Sequence, residues 1–167
     1  MGSLVLGIDP GTIQIGYGLI RMHGGKGKAI DHGFFRINQK LPFPQRLKLI
    51  HDRISGLLES TRPDEVAIEN VYVSQNAKTT LRLGHARGVI VLAVAEQDIP
   101  LAEYAPREIK QAVLGNGNAS KDQVQWMIRN LLQLGDEKLN EDASDGLAVA
   151  LCHAFRSSGV MRGIKRS

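Results

Sequence analysis

The chain is 167 residues long, 43% apolar and 23% charged, enough for one domain with a real core and unlike a disordered or fibrous composition. Its single cysteine, Cys152, excludes an internal disulfide and points to a reducing compartment, and no apolar run approaches the roughly 20 residues of a membrane span. A net charge of +4 permits a polyanionic partner without demanding one.

Met1-Gly2-Ser3 passes straight into the apolar run Leu4–Ile8, so no signal peptide is expected and the expected location is cytoplasmic. That run ends at Asp9-Pro10-Gly11 and reads as a buried strand leading into a tight turn. Ile15–Met22 and Ala29–Ile37 read as two further strands joined by the glycine-rich 23–27 turn, which predicts an antiparallel meander. A helix follows over Pro44–Thr61, with Leu47, Ile50, Ile54, Leu57 and Leu58 on one stripe. Val66–Ile68 is a brief buried strand ended by Glu69. Helical period returns over Asn76–Gln97, Leu101–Tyr104 is a last strand, and helices are expected over Pro106–Leu114, Ser120–Leu134 and Asp142–Arg156. The order βββαβαβ followed by helices predicts a mixed sheet flanked by helices.

The basic surplus is N-terminal: residues 1–60 carry eight Lys/Arg against four Asp/Glu, and later segments are nearly balanced. No basic run exceeds the pair Lys165-Arg166, so a nucleic-acid surface would have to be assembled by folding. The acids are more informative. Asp9 and Glu69 each follow a buried strand, where α/β sheets gather ligand chemistry, and Asp142 and Asp145 stand three apart on one face of a helix start. Four converging carboxylates repel one another unless divalent cations bind, and their hard oxygens suit Mg²⁺ or Mn²⁺. Each acid also has an ordinary reading. Asp9 can open a Pro-Gly turn, Glu69 can be an exposed strand end, and Asp142 can cap its helix with Asp145 completing an acidic box. Trp126 lies off the Val124–Met127–Ile128–Leu131 stripe and is expected to be partly buried, and Cys152 reads as a core residue.

Gly7-Ile8-Asp9-Pro10-Gly11 with Gly16-Tyr17-Gly18, then Ala67-Ile68-Glu69-Asn70, then Asp142-Ala143-Ser144-Asp145-Gly146-Leu147-Ala148 resemble the RuvC family of bacterial Holliday-junction resolvases. The likeness takes in Leu47–Ile50, Leu83–Gly88 and Lys110–Val113, and runs from about Leu4 to Phe155. It implies an α/β, ribonuclease H-like fold over 1–157, with a five-stranded mixed sheet of order 3-2-1-4-5 flanked by helices; the remaining 158–167 is short and basic and is expected to be a flexible tail. It implies a homodimeric endonuclease that makes paired symmetric nicks in four-way junction DNA, leaving 5′-phosphate and 3′-hydroxyl ends. Asp9, Glu69, Asp142 and Asp145 match the family's metal-binding catalytic acids, with two Mg²⁺ ions about 4 Å apart and Mn²⁺ able to substitute. The RuvA–RuvB branch-migration complex is the implied protein partner.

For DNA, Lys110 and Lys121 match the family's lysines near the active site, and Ser120 would cap the helix behind Lys121. Tyr72 stands where the family carries an aromatic wedge for the junction. Gln75 departs from the basic residue frequent there, which leaves Lys78 or Arg82 to compensate one turn on. Gly84-x-x-x-Gly88, with Leu81, Leu92 and Ala95, is expected partly at the dimer interface. Three other readings compete. Actin-like ATPases share Asp-x-Gly-Thr but need two domains, a junction-binding module would not need four acids, and a ribonuclease H-like RNA-processing nuclease lacks the match through Lys110 and the last helix.

Overall fold

Leu4–Asp9 (β1) is buried along its length except at Asp9, because strands lie on both sides of it and helices cover both faces. The computed structural model describes residues 2–70, 76–135 and 138–157; Tyr72, Gln75 and the 158–167 tail fall outside them. β1 pairs antiparallel with Gln14–His23 (β2), which pairs antiparallel with Lys26–Arg36 (β3), giving the expected meander. Glu65–Glu69 (β4) and Leu101–Tyr104 (β5) add on the other side, parallel to β1 and to each other. The sheet order is β3-β2-β1-β4-β5, as the family likeness implies.

One face of the sheet carries Phe43–Thr61 (α1) and Ala77–Ala95 (α2), which enclose a core that includes Leu6, Ile8, Ile54, Leu58 and Ile90. The other carries Pro106–Leu114 (α3), Lys121–Leu132 (α4) and Glu141–Ser157 (α5), packed on Val5, Ile20 and Ala67. Helix boundaries follow capping chemistry. Asn76 Oδ1 accepts from Thr79 N at α2, and Ser120 Oγ accepts from Gln123 N at α4. At α5 the cap is Asn140 and not Asp142: Asn140 Oδ1 accepts from the Asp142 and Ala143 amides at 2.9 and 3.3 Å. The Asp142 carboxylate is thereby released from capping. Trp126 departs from its expected partial burial and is 63% exposed, because α4 buries only the Val124–Ile128–Leu132 stripe. Cys152 is buried, and its thiol is pushed up to about 12, chiefly by burial.

α5 lies closest to the sheet. A Cβ on Gly16 would fall 1.9 Å from the Asp142 carbonyl oxygen, and one on Gly146 would fall 2.5 Å from the Tyr17 backbone. Helix and sheet therefore meet backbone to backbone, with no side chain between them at these points. Further along α5, the Tyr104 hydroxyl bonds His153 Nδ1 at 2.8 Å and His153 Nε2 meets Glu65 Oε2 at 2.6 Å, which pins the helix to β4 and β5.

Candidate active site

Strand register assembles the site. Asp9 faces Gly16 across β1–β2, while Ile8 faces Ile68 across β1–β4, so Glu69 ends β4 beside Asp9. Because Gly16 carries no side chain, the first turn of α5 settles over it and brings Asp142 and Asp145 to the same sheet edge. Between Ala143 and Ala154, Asp145 alone is not buried; it faces a cleft.

That cleft has a volume of about 310 Å³ and is lined by Asp9, Glu69, Asp145, Lys110 and Lys121, with Pro106, Ile109, Val124 and Ala148 as an apolar wall. The structure thus brings together five of the residues singled out in sequence. Asp142 does not line the cleft, though its charge acts on both Asp9 and Asp145. Lys78 and Arg82 are exposed on the first turns of α2, outside the cleft. Glu141 went unremarked in sequence: it pairs with Lys121 Nζ, and only its place beside the helix start could have marked it. Asn70 closes the Ala67–Asn70 motif; its Oδ1 accepts from Arg87 Nη2 at 3.0 Å, and Arg87 also pairs with Glu103 at 2.7 Å, which braces the end of β4.

Without positive charge, this cluster is electrostatically frustrated. Burial pushes the Asp9 carboxyl from the ordinary 3.8 up to about 8, and Glu69, Asp145 and Asp142 add to the shift. The protonated Asp9 donates a hydrogen bond to Glu69. Burial raises Glu69 as well, against the lowering effect of that bond. It also pushes Asp145 up to about 6, with Lys121 and Lys110 opposing and Glu141 and Asp142 reinforcing. The bond to Glu141 raises Lys121. Among the described residues, no three carboxyl, imidazole or thiol groups stand as a ready-made metal ligand set. The donor chemistry nevertheless fits hard divalent cations: oxygen donors only, and a shared proton where a cation would relieve the repulsion.

These shifts fix a sign. Folded Asp9 keeps its proton up to about pH 8 while the unfolded chain releases it near 3.8, so between those values the folded state binds more protons and rising pH favours unfolding. Chelator-treated protein should therefore lose thermal stability from about pH 5 to about pH 8, with Asp145 contributing in the lower half of that window. Mg²⁺ should restore it, and Asp9→Asn should flatten the profile. A chelated wild type whose melting follows the same pH profile as Asp9→Asn would remove this account of the cluster.

The family model described as "Crossover junction endodeoxyribonuclease RuvC" matches residues 5–153. The curated protein of that description from Porphyromonas gingivalis is 45% identical over 160 residues, 95% of this chain and 85% of that one. Its counterpart from Syntrophotalea carbinolica is 49% identical over 150 residues, 90% of this chain and 92% of that one. Among solved structures, Thermus thermophilus RuvC in complex with Holliday junction substrate superposes with a TM-score of 0.87 at 31% identity, covering 93% of this chain and 94% of that one.

Proposed function

This chain belongs to the RuvC family of crossover junction endodeoxyribonucleases, and from that premise we propose that it resolves four-way DNA junctions by paired symmetric hydrolytic nicks that leave 5′-phosphate and 3′-hydroxyl ends. The observation that carries the reading is the meeting of Asp9, Glu69 and Asp145 with Lys110 and Lys121 in one cleft. Clustered acids beside two cations suit a phosphodiester held at an acidic centre.

Asp9, Glu69 and Asp145, with Asp142 beside them, would hold two Mg²⁺ ions, or Mn²⁺ in their place. Such ions supply the positive charge that polarises the phosphate and lowers the pKa of an attacking water. Lys110 and Lys121, which line the same cleft, would offer their ammonium groups to phosphate oxygens. Lys121 must first exchange its Glu141 partner for DNA. The apolar residues Pro106, Ile109, Val124 and Ala148 would keep bulk water from part of the bound phosphate.

The groove on α2 suits a second copy of the chain. Thr80, Leu81, Gly84, His85, Gly88, Val89 and Leu92 line it, and Leu81 and Leu92 are 63% and 52% exposed. Two copies packed there would present two clefts on one two-fold scaffold, as symmetric cutting needs. No helix among the described residues is long and apolar enough to cross a membrane. Cytoplasmic location, a Tyr72 wedge and cooperation with the RuvA–RuvB branch-migration complex belong to the same reading.

The test is nicking of a synthetic four-way junction in Mg²⁺, set beside linear duplex and beside Asp145→Asn. The junction should be nicked in two symmetric places, the duplex spared and the variant inactive; an intact junction in both Mg²⁺ and Mn²⁺ would refute the reading. Binding has its own prediction. Lys110→Ala should lower the slope of log affinity against log salt by about 0.9, the value for one lost phosphate contact. An unchanged slope would return Lys110 to the role of a solvated surface charge.

A further inference from the structure

Phe43, the first residue of α1, gathers cations from two helices. The Arg46 guanidinium on α1 and the Arg82 guanidinium on α2 both lie over its ring, with Cζ 5.3 and 5.7 Å from the centroid. His85 meets the same ring edge-on at 5.8 Å. Two like charges on one ring repel, and among the described residues no carboxylate is paired with either arginine. Among the described residues Arg46 Nε is enclosed without an acceptor. Helix electrostatics leave the charge unanswered: the first turns of α1 and α2, where acids are favoured, contain none. A cationic pair so arranged costs stability and offers planar, non-titrating donors suited to phosphate.

Its placement ties it to the active site. α1 leads into β4 and runs against it, and α2 begins after the carboxyl end of β4, so both helices start at the sheet edge that carries Asp9 and Glu69. Arg46 Nη1 donates to Gln39 Oε1 at 2.7 Å, and Gln39 Nε2 donates to the Thr12 carbonyl at 2.9 Å, three residues past Asp9. The Gln39 amide thus links the arginine pair to the turn that follows the central carboxylate. From this geometry we infer that Phe43, Arg46 and Arg82 form a phosphate subsite for the junction backbone, outside the cleft and held in register with it through Gln39. The inference rests on the junction-nuclease reading above. Phe43 acts in it as a positioning residue, its ring holding both guanidiniums together.

The test is junction affinity between about 50 and 200 mM salt for wild type, Arg46→Gln, Arg82→Gln and Phe43→Leu. Each arginine variant should bind about tenfold more weakly at low salt, with the salt slope lowered by about 0.9. Phe43→Leu keeps both charges, so it should bind more weakly at an unchanged slope. Arg82 is exposed, so its variant reports even if Arg46→Gln folds poorly. Unchanged affinity and slope in Arg82→Gln would overturn the subsite. So would weakening explained by dissociation to monomers in sedimentation, since His85 also borders the α2 groove. If wild type neither binds nor nicks junctions, it is the junction-nuclease reading that fails.

Discussion

Asp9→Asn should reduce junction nicking by about 10³-fold or more, corresponding to about 4 kcal/mol of barrier, while junction binding is retained. The residue stands at the centre of the acidic cluster, and Glu69, Asp145 and Asp142 all act on it. An amide keeps the size and one oxygen but removes the charge that divalent ions would answer. The same change should make the metal-free protein more stable at about pH 8, because it removes a carboxyl that burial and three neighbours hold in the protonated form. Lost cutting with gained stability is hard to explain by misfolding. Nicking and gel-shift assays on one preparation, with a thermal melt in chelator, read all three quantities. Near-normal cutting by the variant would remove Asp9 from the site.

Gly16→Ala should be almost as damaging from a position that carries no functional group. A methyl there would lie 1.9 Å from the Asp142 carbonyl oxygen, so α5 must lift or β2 must bend. Overpacking of this kind costs about 1–3 kcal/mol, a fall of several degrees in melting temperature for a domain of this size. The larger effect is catalytic, since moving two of the four carboxylates by about 1 Å can cost about 100-fold in rate. Gly56→Ala is the control: it lies within α1, nothing stands within 4 Å of its added methyl, and the change should be neutral or slightly stabilising. If Gly16→Ala cuts and melts like wild type, the close seating of α5 does not govern the site.

The elements and the acids were legible in the residues themselves, whereas the sheet order came only with the family likeness. Periodicity and turns located the elements because each element buries a stripe or a strand, and α3 matches its expected bounds of Pro106–Leu114. β3 begins at Lys26, earlier than its apolar run, because backbone pairing with β2 carries it through polar residues down to the hairpin. The convergence of Asp9 with Glu69 was implied by family likeness, since register between β1 and β4 is not written in either strand. The ordinary reading of Asp142 as the α5 cap gives way to Asn140, since both residue types suit capping and only the fold decides which side chain turns back to the helix amides. Trp126 was misjudged on residue type, since a large ring is usually covered. The Lys121–Glu141 pair and the Phe43 cluster join residues from different elements, and no local pattern announces either.

The backbone-close seating of α5 on β1 and β2 also sets the order in which this enzyme becomes dangerous. Asp9 is made among the first residues of the chain and Asp145 among the last, and their meeting is one of the longest-range contacts in the molecule. A chain still in synthesis has Asp9 and Glu69 in hand before the helix that carries Asp142 and Asp145 has been made. The acidic cluster is therefore complete only once the last helix has docked on the sheet.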